Sequence, residues 1–299
     1  GAARTLILGA SRPQGRATLL WVSEPAPITL CGSLSLHPVS IGAAMHSAGY
    51  QALGVSFVYV PFAVTEADLP GALAGMRALG IRGLGVSMPF KLSVLPLLDR
   101  IDPIAARIGA VNTIVNDGGV LIGFNTDAWG AARALSEALE LKGKRAVVIG
   151  AGGAARAAVF ALCEAGMRVH IANRTLERAQ ELARAVAAQG FDVSSGDLRG
   201  LPQLDSVEAI VNCTSADMDG YGTEQIEPDS MLGPGVVVMD IVYKPIHTAL
   251  LAAAERAGAR TVHGGRMLLH QASRQFELYT GRPAPLEVMD AALHRAIGR

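Results

Sequence analysis

From residue 28 onward, apolar positions fall into short runs separated by glycine, proline and polar residues, and the runs switch between a period of two and a period near 3.6. Residues 28–31 read as a short strand, 32–42 as a loop, and 43–53 as a helix. Residues 55–60 alternate as a strand that is expected to stop at Pro61, because proline cannot donate to a sheet ladder. Residues 68–79 place Leu69, Leu73, Met76 and Leu79 on one helical face. Residues 81–86 form a strand leading into Ser87-Met-Pro-Phe-Lys91, and 92–99 and 103–108 read as short helices. The runs 110–115 and 120–122 flank Asn116-Asp-Gly-Gly119 and predict a β-hairpin. Gly123-Phe-Asn-Thr-Asp127 then caps a long helix over 128–141.

The second half repeats one theme. Two strand–helix units (146–165 and 169–189) lead to strands at 209–212 and 236–240, a helix at 248–257 and a strand at 260–262. Helices at 264–280 and 285–297 close the chain. Strands alternating with helices predict an α/β fold, here an N-terminal α/β domain followed by a Rossmann-type, doubly wound sheet. The helix starting at Asp127 is the natural hinge, and the last helices are expected to cross back to the first domain. That divides the chain into 1–126 with 266–299, and 127–265. Neither internal repeats nor low-complexity segments are evident.

Composition narrows the partners. The 299 residues carry 26 basic and 26 acidic side chains, so nothing favours nucleic acid or an anionic membrane. No apolar run reaches the ~18 residues of a membrane span. Arg4, Arg12 and Arg16 interrupt any secretory leader core, and Gly1 in place of methionine suggests a trimmed start. Cys31, Cys163 and Cys213 are widely spaced in apolar surroundings and read as reduced core residues of a cytoplasmic protein rather than disulfide or metal ligands.

The most informative stretch is Arg145-Ala-Val-Val-Ile-Gly-Ala-Gly-Gly-Ala-Ala-Arg156. A buried strand runs through a glycine turn (Gly150, Ala151, Gly152, Gly153, Ala154) into a helix whose first N–H groups can hold a phosphate. The next strand ends in Asn173-Arg174-Thr175, with Arg178 one turn on. A dinucleotide site that prefers NAD places a carboxylate at that tip for the ribose 2′-hydroxyl; guanidiniums there suit a 2′-phosphate. The cofactor expected is NADP, with Thr214 and Ile241 completing its site from later strand ends. A rival turn, Gly9 to Gly15, lacks a ribose-binding second strand and carries Pro13 where a free N–H is wanted.

A dehydrogenase needs a proton source beside the reacting oxygen. Lys91 after a strand and Asp127 at the hinge could form such a pair, the ammonium favouring an alkoxide and the carboxylate orienting the ammonium. The same two residues also fit a solvated loop lysine and a first-turn helix acid.

Val86-Ser-Met-Pro-Phe-Lys91, Ala110-Val-Asn-Thr113, Asn125-Thr-Asp127, Gly150-Ala-Gly-Gly153, Asn173-Arg-Thr175 and Met267-Leu-Leu-His-Gln-Ala272 occur in the order used by the shikimate dehydrogenase family, which the chain resembles from about residue 28 onward. The resemblance implies a substrate domain and an NADP-binding domain closing around a cyclic hydroxy acid. It implies that Lys91 and Asp127 are the catalytic pair, and that Ser40, Ser87, Asn112, Tyr243 and Gln271 bind substrate. It implies interconversion of shikimate and 3-dehydroshikimate, with quinate or a related polyol acid, or a weakly catalytic NADP-binding regulatory role, as rivals.

Two departures stand out. The family's substrate clamp has two serines one residue apart followed by proline; the corresponding places hold Ser40, Gly42 and Ala43, with Ser33 and Ser35 upstream as possible substitutes. Where the family usually reads Asp-Gly-x-Gly-Met, this chain has His263-Gly-Gly-Arg266-Met267. Arg266 is expected either to meet an acidic substrate or to face solvent. The wording of these motifs is most similar to the shikimate dehydrogenase-like paralogues.

Overall fold

The structure, a computed structural model, describes residues 4–6, 21–23, 27–198, 206–214 and 231–298. In chain order the first sheet is built from β1 (Arg4–Leu6) and β2 (Trp21–Ser23), an antiparallel pair by themselves. The rival turn from Gly9 to Gly15 lies outside the described residues.

The next unit comprises β3 (Thr29–Ser35), α1 (Ile41–Ala52), β4 (Phe57–Ala63), α2 (Leu69–Ala78), β5 (Gly83–Val86), α3 (Phe90–Ser93), β6 (Arg100–Ile101), α4 (Pro103–Ile108), β7 (Thr113–Asp117) and β8 (Val120–Phe124). Its sheet has the order β4-β3-β5-β7-β8-β6, with β3 parallel to β4 and β5, and β7 antiparallel to β5 and β8. Strand alternation sends successive residues to opposite faces. Leu84 and Ile114 face α2 and Phe90, whereas Cys31 and Val115 face the other side, where Met45, Tyr50 and Tyr59 lie.

The helix α5 (Thr126–Ser136) leads to β9 (Arg145–Ile149), α6 (Gly153–Glu164), β10 (Arg168–Ala172), α7 (Leu176–Ala187), β11 (Val193–Gly196), β12 (Ala209–Asn212), β13 (Val237–Asp240), α8 (Ala249–Arg256) and β14 (Arg260–Val262). These strands form an all-parallel sheet in the order β11-β10-β9-β12-β13-β14. That is the Rossmann order, and its switch point falls between β9 and β12. Ala146 and Val148 pack towards α5 and α6, Val147 and Ile149 towards α8.

The chain then returns. α9 (Gly264–Thr280) runs beside α5, and α10 (Leu286–Ile297) packs on α1. Phe276, Tyr279, Met289 and Leu293 complete the apolar cluster that Cys31, Met45 and Tyr50 begin. The α5–α9 crossing is close: a Cβ on Gly130 would lie 2.7 Å from the Met267 carbonyl oxygen, so only glycine fits.

Several boundaries differ from the sequence reading. Residues 32–35, expected as loop, continue β3, because Gly32 to Ser35 pair with β4 and Gly32 to Leu34 also pair with β5. Pro61 does not end β4; that strand is the sheet's edge, where a missing N–H donor is tolerated. The helix expected over 92–99 divides into α3 and a 3₁₀ turn at Leu95–Leu97, with a proline in its first positions. The hairpin turn uses Gly118 and Gly119, with φ of 59° and 96°. The hinge helix begins at Thr126, capped by Asn125, and ends five residues earlier than the periodicity suggested. The short edge strands β6 and β11 carry too little apolar signal to have been anticipated.

Candidate active site

The site grows from three turns. At the end of β5, Ser87 donates its N–H to the Leu34 carbonyl at 3.0 Å, and its own carbonyl accepts from Phe90 N–H at 3.0 Å. Phe90 is fully buried and anchors α3, which leaves Lys91 at the surface of the cleft with its carbonyl tied to Val111 N–H at 2.9 Å. At the other side, Asn125 caps α5 by accepting from Ala128 N–H at 3.1 Å, while its amide donates to the Ala110 carbonyl at 3.0 Å. Asp127 is thereby fixed in the first turn of α5.

The two turns meet. Lys91 Nζ donates to Asp127 Oδ2 at 2.6 Å, with both side chains largely buried. Asn112 Nδ2 donates to the other oxygen, Oδ1, at 2.8 Å. Asn112 Oδ1 accepts from Thr126 N–H at 2.7 Å and from Thr113 Oγ1 at 2.9 Å, so its amide orientation is determined. From α9, Gln271 Oε1 accepts from Thr126 Oγ1 at 3.4 Å and from Asn112 Nδ2 at 3.5 Å. Lys91, Asn112, Asp127 and Gln271 therefore share one network. An ammonium held by one carboxylate oxygen, with the second oxygen satisfied by an amide, can hold and exchange a proton with a hydroxyl in the cleft.

Other expected residues are placed around this network without bonding to it. Ser40 sits exposed at the N-cap of α1 and makes no side-chain cap bond. Ser87 is exposed. Tyr243, beyond β13, reaches across to pack on the cluster of the first unit, and burial raises its phenol pKa. A Cβ on Gly42 would lie 3.7 Å from Tyr59 Oη, an ordinary contact, so the clamp has room for a side chain there. Ser33 lies on the same side of the sheet: a Cβ on Gly85 would come within 3.5 Å of the Ser33 Cβ and 3.2 Å of Tyr59 Oη.

At the switch point of the all-parallel sheet, Gly150 turns at φ 114°, where a Cβ would crowd the Cys213 carbonyl at 3.3 Å. Ala151 is half-buried beside the turn, and Ala154 lies in the first turn of α6. α6 opens with Gly152 as N-cap, no capping side chain and no acid in its first turn. A Cβ on Gly152 or Gly153 would meet nothing within 4 Å, so the uncapped N–H groups face open space. At the tip of β10, Asn173 Nδ2 donates to the Thr175 carbonyl at 2.8 Å and shapes the turn. Arg174, Thr175 and Arg178 are exposed, and neither arginine has a carboxylate partner among the described residues. Thr214 Oγ1 donates to Asn212 Oδ1 at 2.8 Å, and Ile241 N–H to the Asn212 carbonyl at 3.1 Å. An uncapped helix start behind glycines, flanked by two free guanidiniums, fits a dinucleotide carrying a third phosphate.

Sequence reasoning missed Thr126 and Gln275. Gln275 is buried and donates to Thr113 Oγ1 at 3.0 Å; its position four residues after Gln271 on α9 was the available signal. Arg266, expected to meet an acidic substrate or solvent, is held by two carboxylates of the chain itself. It donates to both oxygens of Glu137, at 2.8 and 2.6 Å, and to Asp290 Oδ2 at 2.6 Å, while His270 Nε2 lies 2.7 Å from Glu137 Oε1. Burial opposes ionisation of Glu137, but the bonds from Arg266 and His270 outweigh it and hold the carboxyl below its usual range. The three cysteines are free and buried, and burial raises their thiol pKa values.

Three family descriptions match the chain: a shikimate dehydrogenase substrate binding domain over residues 37–114, a shikimate / quinate 5-dehydrogenase region over 131–243, and a shikimate 5'-dehydrogenase C-terminal domain over 264–294. The chain is 46% identical over 270 residues to a shikimate dehydrogenase (NADP(+)) of Moorella thermoacetica, covering 88% of this chain and 92% of that one. Among solved structures it is similar to shikimate 5-dehydrogenase of Thermus thermophilus in complex with NADP(H) and shikimate, with a TM-score of 0.81 at 34% identity over 90% of this chain and 100% of the other. It is also similar to quinate dehydrogenase of Corynebacterium glutamicum in complex with NAD, with a TM-score of 0.82 at 34% identity, covering 90% and 99% of the two chains.

Proposed function

This chain belongs to the shikimate dehydrogenase family, and from that premise we propose the reaction it performs and the residues that perform it. It is an NADP-dependent oxidoreductase that acts on a CH–OH group and interconverts shikimate and 3-dehydroshikimate. The observation that carries the residue assignment is the Lys91–Asp127 contact of 2.6 Å, with Asn112 on the second carboxylate oxygen. The substrate domain comprises residues up to 126 with the returning segment 266–299, and residues 127–265 bind the dinucleotide.

The glycine turn Gly150–Ala154 and the α6 N-terminus hold the pyrophosphate, Arg174 and Arg178 take the 2′-phosphate, and Asn173, Thr175, Thr214 and Ile241 complete the walls. When bound, the dinucleotide supplies the hydride chemistry. Lys91 stands beside the reacting oxygen: as the alcohol is oxidised its proton passes to the Lys91–Asp127 pair, and in the reverse direction the ammonium stabilises the growing alkoxide and returns a proton. Asp127 keeps the ammonium aimed and Asn112 keeps Asp127 in place. Gln271, Tyr243, Ser87 and Ser40 hold the ring hydroxyls and the carboxylate.

A second reading is favoured by Gly42. With the clamp hydroxyl missing and room left above Tyr59, a bulkier cyclic acid such as quinate fits the same site. Initial rates of NADP⁺ and NAD⁺ reduction, measured with saturating shikimate and then quinate, separate the readings. Faster NADP⁺-linked turnover of shikimate is expected. Faster quinate turnover selects the second reading, and dinucleotide binding without turnover of either acid overturns both in favour of a regulatory protein.

A further inference from the structure

Sharing one wall residue with the catalytic network, a cavity of about 320 Å³ opens where α4, α5, α6 and α9 meet. Both halves of the molecule line it. It touches α6 at Phe160, Ala161 and Glu164, at the far end from Gly153, and between those points Arg156 Nη1 donates to the Ile108 carbonyl at 3.4 Å. It is thus separate from the dinucleotide turn. Thr126 contributes to its wall and, through its hydroxyl, belongs to the Asn112–Gln271 network.

The lining is mostly apolar and aromatic, with Phe124, Phe160 and Leu278 among its walls, and it includes Trp129, an indole left 46% exposed. Two guanidiniums stand near that indole: Arg133 at 5.7 Å and Arg274 at 5.6 Å from the ring centroid. Arg274 has Glu277 at 3.0 Å, while Arg133 has no carboxylate partner among the described residues. The acids of the lining are committed elsewhere. Asp102 caps α4, accepting from Ile104 N–H at 2.9 Å, and Glu164 pairs with Arg107. The charge beside the indole is left positive.

A cavity of roughly 150 Å³ holds benzene, and ligand pockets begin near ~300 Å³, so this one has room for a fused ring with a short substituent. An exposed indole offers a stacking face, and a guanidinium pairs best with a planar carboxylate. We propose that this cavity binds a small aromatic carboxylate, its ring packed against Trp129 and its carboxylate held by Arg274. A ligand there touches α4 on one unit and α6 on the other, and so spans the hinge.

Isothermal titration of the intact chain with 2-naphthoate, and with the neutral 2-naphthylmethanol, tests the assignment. Saturable binding of 2-naphthoate is expected, at least about tenfold tighter than the alcohol. Arg274→Gln should remove that preference, and Ala161→Phe should fill the cavity and abolish binding of both probes. Equal affinity for the two probes, an unchanged preference in Arg274→Gln, or full binding in a folded Ala161→Phe protein would overturn it. Arg274 is half-exposed and outside the apolar core clusters, so Arg274→Gln leaves the packing intact and decides the question even where Ala161→Phe does not fold.

Discussion

At the scale of single residues, Lys91 and Gly42 make opposite predictions. On the proposed assignment, Lys91→Ala removes the cation beside the reacting oxygen and leaves the proposed substrate contacts of the other residues. kcat for shikimate should fall about 10²–10⁴-fold, with a smaller change in KM, in steady-state rates at pH 7. An unchanged kcat would remove Lys91 from the chemistry. Gly42→Ser puts a hydroxyl back where the built Cβ finds only an ordinary contact with Tyr59. One charge-assisted hydrogen bond contributes about 1.5–3 kcal/mol, so KM for shikimate should drop by about tenfold or more. The meeting of Lys91 with Asp127 was legible because both lie in motifs with an unusual local context. Thr126 and Gln275 were missed: apart from the spacing of Gln275 from Gln271, a threonine or glutamine in an apolar stretch has the same letter whether it closes a buried network or faces water. Arg266 misled for the same reason, since its partners Glu137 and Asp290 lie on two other helices.

At the scale of elements, periodicity located most helices and strands and failed where neighbours decide. Gly32 to Ser35 are strand only because β4 and β5 flank them, and Pro61 is tolerated only because β4 is an edge. The helices that hold the cleft together are pinned by Arg266, which joins the C-cap of α5 to α9 and α10 through Glu137 and Asp290. Exposed pairs contribute about 0.2–1 kcal/mol and breaking buried ones costs about 3–5, so this half-buried pair of bridges lies between. Arg266→Ala should cost about 1–3 kcal/mol in urea unfolding. Arg266→Lys should not restore it, because an ammonium lacks the planar fork that meets two carboxylates at once.

At the scale of the whole molecule, stability should depend on His46. It is fully buried, stacked on Tyr59 at 4.4 Å between centroids, and burial lowers its pKa from 6.5 to about 4. The unfolded chain therefore takes up a proton between pH 6.5 and 4 that the folded chain refuses. Stability present above pH 6.5 is lost as pH falls through that window, by about 1.4 kcal/mol per unit at the steepest point. Urea midpoints at pH 7 and pH 5 should differ clearly, and His46→Phe should flatten the difference. No helix among the described residues is long and apolar enough to cross a membrane. The doubly wound sheet was legible as a whole, because each strand–helix unit carries its own signal. The pairing of the first unit with α9 and α10 rests on contacts between residues more than 200 positions apart, as between Tyr50 and Phe276 at 5.1 Å.

That return of the chain has a consequence for how the protein is made. Translation delivers α1 and the sheet of β3 to β8 well before the helices that cover their aromatic face. The nucleotide-binding sheet, contiguous from β9 to β14, can close while Met45, Tyr50 and Tyr59 still wait for Phe276 and Leu293. At bacterial or eukaryotic elongation speeds the wait is on the order of ten seconds. The half that leaves the ribosome first is the last to be finished, and in that interval its bare aromatic surface is where a nascent chain would be caught by a chaperone or by a neighbour.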